Sequence, residues 1–125
     1  MTANVRGRGR PTKYRPDYPR QAEQLARLGA ADADLAEAFE VSAMTIWRWR
    51  MAYPEFCYAL KEGKDAFDDR VERSLAMRAV GYSYDAEKIF YQNGKVIRVP
   101  YREHVPPDVT ACIFWLKNRR PEQWR

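Results

Sequence analysis

From Pro54 to Gly81 the sequence carries one continuous apolar stripe. Phe56, Leu60, Gly63, Phe67, Val71 and Leu75 recur at spacings of four, three, four, four and four. That spacing predicts a single helix of roughly 25 residues. Pro54 stands where a helix accepts proline, in its first turn, and Gly81 stops it. Lys61 with Asp65, Lys64 with Asp68, and Asp69 with Arg73 decorate its other faces four residues apart. In a chain of 125 residues such a helix constrains everything else. Its stripe is expected to serve self-association, with Gly63 permitting close helix–helix approach. The competing expectation is burial inside one monomer, against the segments that follow.

Shorter elements surround it. Pro19 lies in the first turn of a helix whose apolar face holds Leu25 and Leu28, and Gly29 ends it. Asp32 or Asp34 opens a second helix with Leu35, Ala36 and Phe39. Ser42 is the expected N-cap of a third, Ala43 to about Ala52. After Gly81 the pattern changes. Tyr84, Ile89, Phe90 and Tyr91 precede Asn93-Gly94, and Val96, Ile97, Val99 and Tyr101 follow, which is the strongest short hairpin signal. Pro100 confines the second strand to an edge or cuts it short. Asp108 then starts a terminal helix carrying Val109, Cys112, Ile113, Trp115 and Leu116. The expected fold is mainly α. It divides into a basic arm (1–16), a helix-turn-helix unit (17–53), the long oligomerisation helix (54–81), a β-hairpin (82–105), and a C-terminal helix and tail (106–125).

Charge points to the partner. Residues 1–20 hold Arg6, Arg8, Arg10, Lys13, Arg15 and Arg20 against Asp17 alone, and so carry the whole formal net charge of +5. A one-signed arm on a neutral body looks for a polyanion. No apolar run approaches the length of a membrane span, and the basic N-terminus lacks the apolar region expected of a secretory signal. Cys57 and Cys112 make no disulfide framework, and no Cys/His cluster has zinc spacing. No phosphate loop or nucleophile elbow is present. No cofactor or metal is expected.

The chemistry-bearing segment is DADLAEAFEVSAMTIWRWR, residues 32–50. Two short helices joined by a three- or four-residue turn make a helix-turn-helix. Leu35, Ala36, Phe39, Val41, Ile46 and Trp49 face inward, which leaves Ser42, Ala43, Met44, Trp47, Arg48 and Arg50 outside. The N-terminal end of the second helix would enter the major groove of double-stranded DNA. There Arg48 takes a guanine or a phosphate, Ser42 and Thr45 suit phosphates, and Met44 packs on a thymine methyl. Glycine often occupies the position of Glu40, where the chain tends to need a positive φ. In the arm, Arg8-Gly9-Arg10-Pro11 resembles the core of an AT-hook, made for a narrow minor groove. A basic tail held by phosphates alone fits it equally well. Asp65, Asp68, Asp69 and Glu72 alternate with Lys and Arg, so they read as a solvated face rather than a nuclease centre. His104 reads as a strand-end residue.

Several longer segments resemble small terminase subunits of tailed bacteriophages and prophages. They are GRPTKY at Gly9–Tyr14, EVSAMTIWRW at Glu40–Trp49, YPEF at Tyr53–Phe56, ALKEGKDAFDDRVERSL at Ala59–Leu75, RAVGYSYDAEKIF at Arg78–Phe90, and HVPPDVTACIFWLKNRRPEQW at His104–Trp124. The resemblance implies a non-enzymatic DNA-packaging component acting in the cytoplasm of a bacterial host. It forms a ring-shaped homo-oligomer, recognises the packaging initiation site on viral DNA, and presents it to a large subunit that carries ATPase and nuclease. Residues Ser42–Arg50 would contact DNA, Pro54–Val80 would build the assembly, and the segment after about Asp108 would meet the large subunit. Glu40 departs from the usual Gly-Val-Ser turn. The competing reading is a phage helix-turn-helix regulator that binds a palindromic operator as a two-fold dimer.

Overall fold

The computed structural model describes residues 12–125. The described residues are mainly helical, with five helices and one antiparallel hairpin in the order α1 (Tyr18–Arg27), α2 (Asp32–Phe39), α3 (Ala43–Ala52), α4 (Pro54–Val80), β1 (Tyr82–Gln92), β2 (Lys95–Val105) and α5 (Val109–Arg119). None of the described helices is long and apolar enough to cross a membrane. The chain divides into two compact units at Asp68 and Asp69, so α4 contributes its first half to one and its second half to the other.

The first unit owns a closed core. Ala22, Ala26, Leu35, Ala36, Phe39, Ile46, Trp49, Phe56 and Leu60 are buried together, with Tyr14, Tyr18, Leu25, Val41 and Tyr53 packed around them. Tyr14 was expected in the arm, but it is part of this cluster. Its ring stacks on Tyr53 at 3.7 Å between centroids and meets Trp49 edge-on at 5.4 Å. Leu28, expected on the apolar face of α1, is instead exposed. The inward face of α1 is built from Ala22 and Ala26 because α4 runs too close for anything larger. A Cβ placed on Gly63 would lie 2.6 Å from both the Ala26 Cβ and the Glu23 carbonyl oxygen.

This close approach corrects part of the oligomerisation assignment. Phe56 and Leu60 are wholly buried in the unit's own core, Gly63 lies against α1, and the Phe67 ring lies against Gly29. None of Phe56, Leu60 and Gly63 has a surface to offer a partner. The apolar period of α4 is real, but over this half the chain covers it itself.

The two connections in this unit close in the same way. At the end of α1 the Gly29 N–H donates to the Ala26 carbonyl and the Ala30 N–H to Leu25. At the end of α2 the Glu40 N–H donates to Glu37 and the Val41 N–H to Ala36. Both are Schellman closures, which need a left-handed residue. Gly29 supplies it at φ 100°, whereas Glu40 adopts φ 56° and ψ 47° with a side chain attached. The start of α2 also differs from expectation. Ala31 is the capping position, and Asp34 accepts its N–H at 2.8 Å. The Asp32 carboxylate turns away to Arg50 at 3.1 Å and Lys64 at 2.9 Å, tying α2 to α3 and α4. Lys64 therefore serves α2 rather than the Asp68 of its own helix.

The second unit is built differently. Asn93 and Gly94, at φ 54° and 75°, form the two-residue turn, and β1 and β2 pair from Gln92–Lys95 to Tyr82–Val105 without a bulge. Counting from the turn, pairs alternate between hydrogen-bonded and non-hydrogen-bonded. Glu87–Pro100 falls on a non-hydrogen-bonded pair, so Pro100 costs the ladder nothing and β2 runs on to Val105. The register sorts the side chains. One face carries Tyr82, Tyr84, Ala86, Phe90, Ile97, Val99, Tyr101 and Val105, with Lys88 and Glu103 among them. The other carries Ser83 bonded to His104, Asp85 paired with Arg102, and Glu87 paired with Arg98, with exposed Ile89, Tyr91 and Val96 toward the turn. Asp108 caps α5 by accepting the Ala111 N–H at 2.9 Å. Arg78 donates to the Pro106 carbonyl, Cys112 to the Ala79 carbonyl, and Arg119 pairs with Glu72. Among the apolar residues of this unit only Ala79 and Ala111 are buried.

Candidate nucleic-acid interface

The candidate site is built by the connection between α2 and α3. Val41, half-buried against the core, carries the chain from the left-handed Glu40 to Ser42. The Ser42 hydroxyl oxygen accepts the Thr45 N–H at 3.1 Å and lies 3.0 Å from the Thr45 hydroxyl. The first turn of α3 is thus capped by Ser42, and both hydroxyl residues expected to face phosphate are bonded to each other there. Ile46 and Trp49 anchor the helix in the core from its inner side. That fixes its outer side, where Ala43, Met44, Trp47 and Arg48 are exposed.

Beside this face runs an open groove of about 660 Å³. Thr12 and Lys13 form one wall, and Ser42, Thr45 and Arg48 form the other, with Trp49 and Tyr53 beneath. Tyr14 holds the wall in place. Its hydroxyl donates to Glu55 Oε2 at 2.9 Å, while its ring lies on Tyr53. Burial first, then the Glu55 carboxylate, pushes the Tyr14 phenol well above its ordinary range. The residue that follows the arm's basic run is therefore locked against Trp49 and Tyr53, the latter the cap residue of α3.

The expected contact residues fall into three groups. Ser42, Ala43, Met44, Thr45, Trp47, Arg48 and Lys13 share this face or its groove. Arg50 does not. Its guanidinium is half-buried on Asp32, so it acts as a brace between helices. Arg6, Arg8 and Arg10 lie outside the described residues. Residue spacing alone missed Thr12 and Tyr53. The available signal was the aromatic pair Tyr14 and Tyr18, four residues apart, which marks the end of the arm as packed chain.

Acidic groups stand near the groove as well. Glu40 lines it, and its charge opposes any polyanion there. On α4, Asp65 is engaged by Lys61 and Glu72 by Arg119, both on exposed faces. Of the remaining oligomerisation residues, Val71 is exposed and Leu75 is half-buried.

Comparison with family models, with curated proteins and with solved structures finds no match to this chain.

Proposed function

We propose that this chain is a DNA-recognition component of the small-terminase type, which binds the packaging initiation site on viral double-stranded DNA and presents it to a large ATPase and nuclease subunit. One observation carries the reading. A three-residue connection with a left-handed Glu40 joins α2 to a Ser42-capped α3, whose outer face exposes Arg48 beside a groove walled by Lys13. A connection of that length supports a helix-turn-helix, whose second helix lays its N-terminal end in a major groove. Lys13 and Arg48 supply cations for phosphates, and the arm adds Arg6, Arg8 and Arg10. The role is binding and presentation, without catalysis.

Assembly into a ring of like subunits is supported by the second unit. Its hairpin leaves a row of aromatic and branched side chains exposed, including Tyr84, Phe90, Ile97 and Val99. A two-stranded sheet is marginal alone in water. Exposed Val109, Ile113 and Phe114 on α5 suit the contact with the large subunit.

Native mass measurement together with duplex binding tests the reading. A cyclic oligomer that binds duplex DNA, with affinity falling steeply in salt, is expected. Arg48→Ala should weaken binding by about 1–3 kcal/mol if Arg48 reads a base, and by a uniform amount on all sequences if it holds a phosphate. A two-fold dimer on a palindromic site would establish the regulator reading instead, and absence of duplex binding would remove both.

A further inference from the structure

We infer that the outer face of α3 reads thymine methyl groups, with Ala43, Met44 and Trp47 as the contact residues and A·T-containing duplex DNA as the ligand. The inference rests on the DNA-binding reading above and names what that surface selects.

Helix α3 is apolar on both sides. Ile46 and Trp49 face the core, while Met44, Trp47 and Met51 stand 55%, 53% and 63% exposed on the other side. They recur three and four residues apart, so they form one stripe. A tryptophan flanked by two methionines in water, on a helix of ten residues, is a surface built for contact.

Its polar side chains are nearly all engaged elsewhere. Thr45 is bonded to Ser42, and Arg50 is held by Asp32. The sequence AMTIWRWRMA holds no Asn, Gln, Asp or Glu, the side chains that pair with adenine or cytosine edges. Arg48 is the one cation of α3 that keeps its outer position among the described residues. Sequence readout by this helix therefore falls mainly on its apolar atoms. In the major groove the apolar base feature is the C5-methyl of thymine.

Charge decides between DNA and an apolar protein partner. The stripe adjoins Arg48 and the Lys13 wall, and the run that ends at Lys13 carries Arg6, Arg8 and Arg10 without an acid between them. Glu40 lines the same groove and opposes a polyanion, but Lys13, Arg48 and the three arginines outnumber it, so the balance is complementary to a polyanion. Ala43, Met44 and Trp47 also sit in the first half of α3, the part that reaches base edges when such a helix docks.

The test compares short duplexes of alternating A·T and alternating A·U, using the full chain in its native assembly. The two differ by the major-groove methyl and present the same minor-groove face, so an arm in the minor groove cannot tell them apart. A buried methyl is worth about four-fold in affinity, so contact with two or three predicts a preference for A·T of about ten-fold or more. Trp47→Ala and Met44→Ala together should abolish the preference while the thermal melt stays unchanged. Equal binding to both duplexes overturns the methyl reading and leaves DNA binding standing. A preference that survives in the double variant overturns the assignment to this face. Failure to bind either duplex at low salt overturns the DNA reading itself. The duplex comparison needs no variant, so it stands even if a substitution harms folding.

Discussion

Residues 12–68 and residues 69–125 are similar in length and opposite in construction. The first unit hides Phe39, Ile46, Trp49, Phe56 and Leu60 in a core of interlocking rings. The second hides two alanines and shows Phe90, Tyr91, Ile97, Phe114 and others to solvent. The difference teaches where each gets its stability. The first is supported by burial within one chain, about 1.5–3 kcal/mol for each large apolar side chain. The second is held by its hairpin ladder, by Arg78 on the Pro106 carbonyl and by surface ion pairs such as Asp85–Arg102. Exposed pairs of that kind are worth about 0–1 kcal/mol each. Its exposed apolar side chains add little burial of their own.

The largest expected effect lies in the first unit. Phe56→Ala should cost about 3–5 kcal/mol, because a fully buried ring leaves a cavity among Tyr14, Trp49 and Phe39. Phe90→Ala should leave that core's melting unchanged and lower the native mass. A shared drop in stability without a change in mass would break the contrast between the units. Next in size, Gly63→Ala should destabilise by roughly 1–3 kcal/mol, read in a urea titration, since the Glu23 backbone cannot yield to the new methyl. A neutral result would mean that α1 and α4 are less tightly opposed than the geometry requires.

Smaller effects sharpen the picture. Glu40→Gly should stabilise the first unit by about 1 kcal/mol by relieving a left-handed side chain. It should also tighten duplex binding, because a carboxylate leaves the groove. Stability gained without affinity would place Glu40 away from the DNA. The pH dependence tests the Tyr14 anchor. Its folded-state pKa is raised above its ordinary value of 10.0, so its contribution is fully present below about pH 10 and is lost as pH rises beyond that. Tyr14→Phe should flatten this alkaline decline, followed by tryptophan fluorescence. An unchanged decline would assign it to other tyrosines.

Local signals in the sequence carried most of the elements. Ser42, Asp108, Pro54 and Asn93-Gly94 announce their helices and turn through short-range chemistry, and each does so in the structure. Glu40 is legible for the same reason, since a left-handed position is a property of the turn. Questions about what covers a face were not legible. Periodicity shows that Phe56, Leu60 and Gly63 share a side, but not that Ala22 and Ala26 lie against it. The Arg50–Asp32–Lys64 brace joins three helices. The Tyr14–Glu55 bond spans 41 residues. Neither leaves a mark in local spacing. The hairpin was visible as a run of aromatics, but only the register of β1 on β2 sets which side chains share a face across the two strands.

Pro100 gives the hairpin a direction. Its place in a non-hydrogen-bonded pair turns its ring nitrogen to the outer edge of β2, where the neighbouring strand of another molecule would look for a donor. The outer edge of β1 has no such gap. Strand-to-strand growth needs both edges in turn, so an edge interrupted at its middle stops a fibre after one step. Two β1 edges can meet about a two-fold axis and go no further. Pro100 therefore blunts one rim of the hairpin against strand addition and leaves the other rim open.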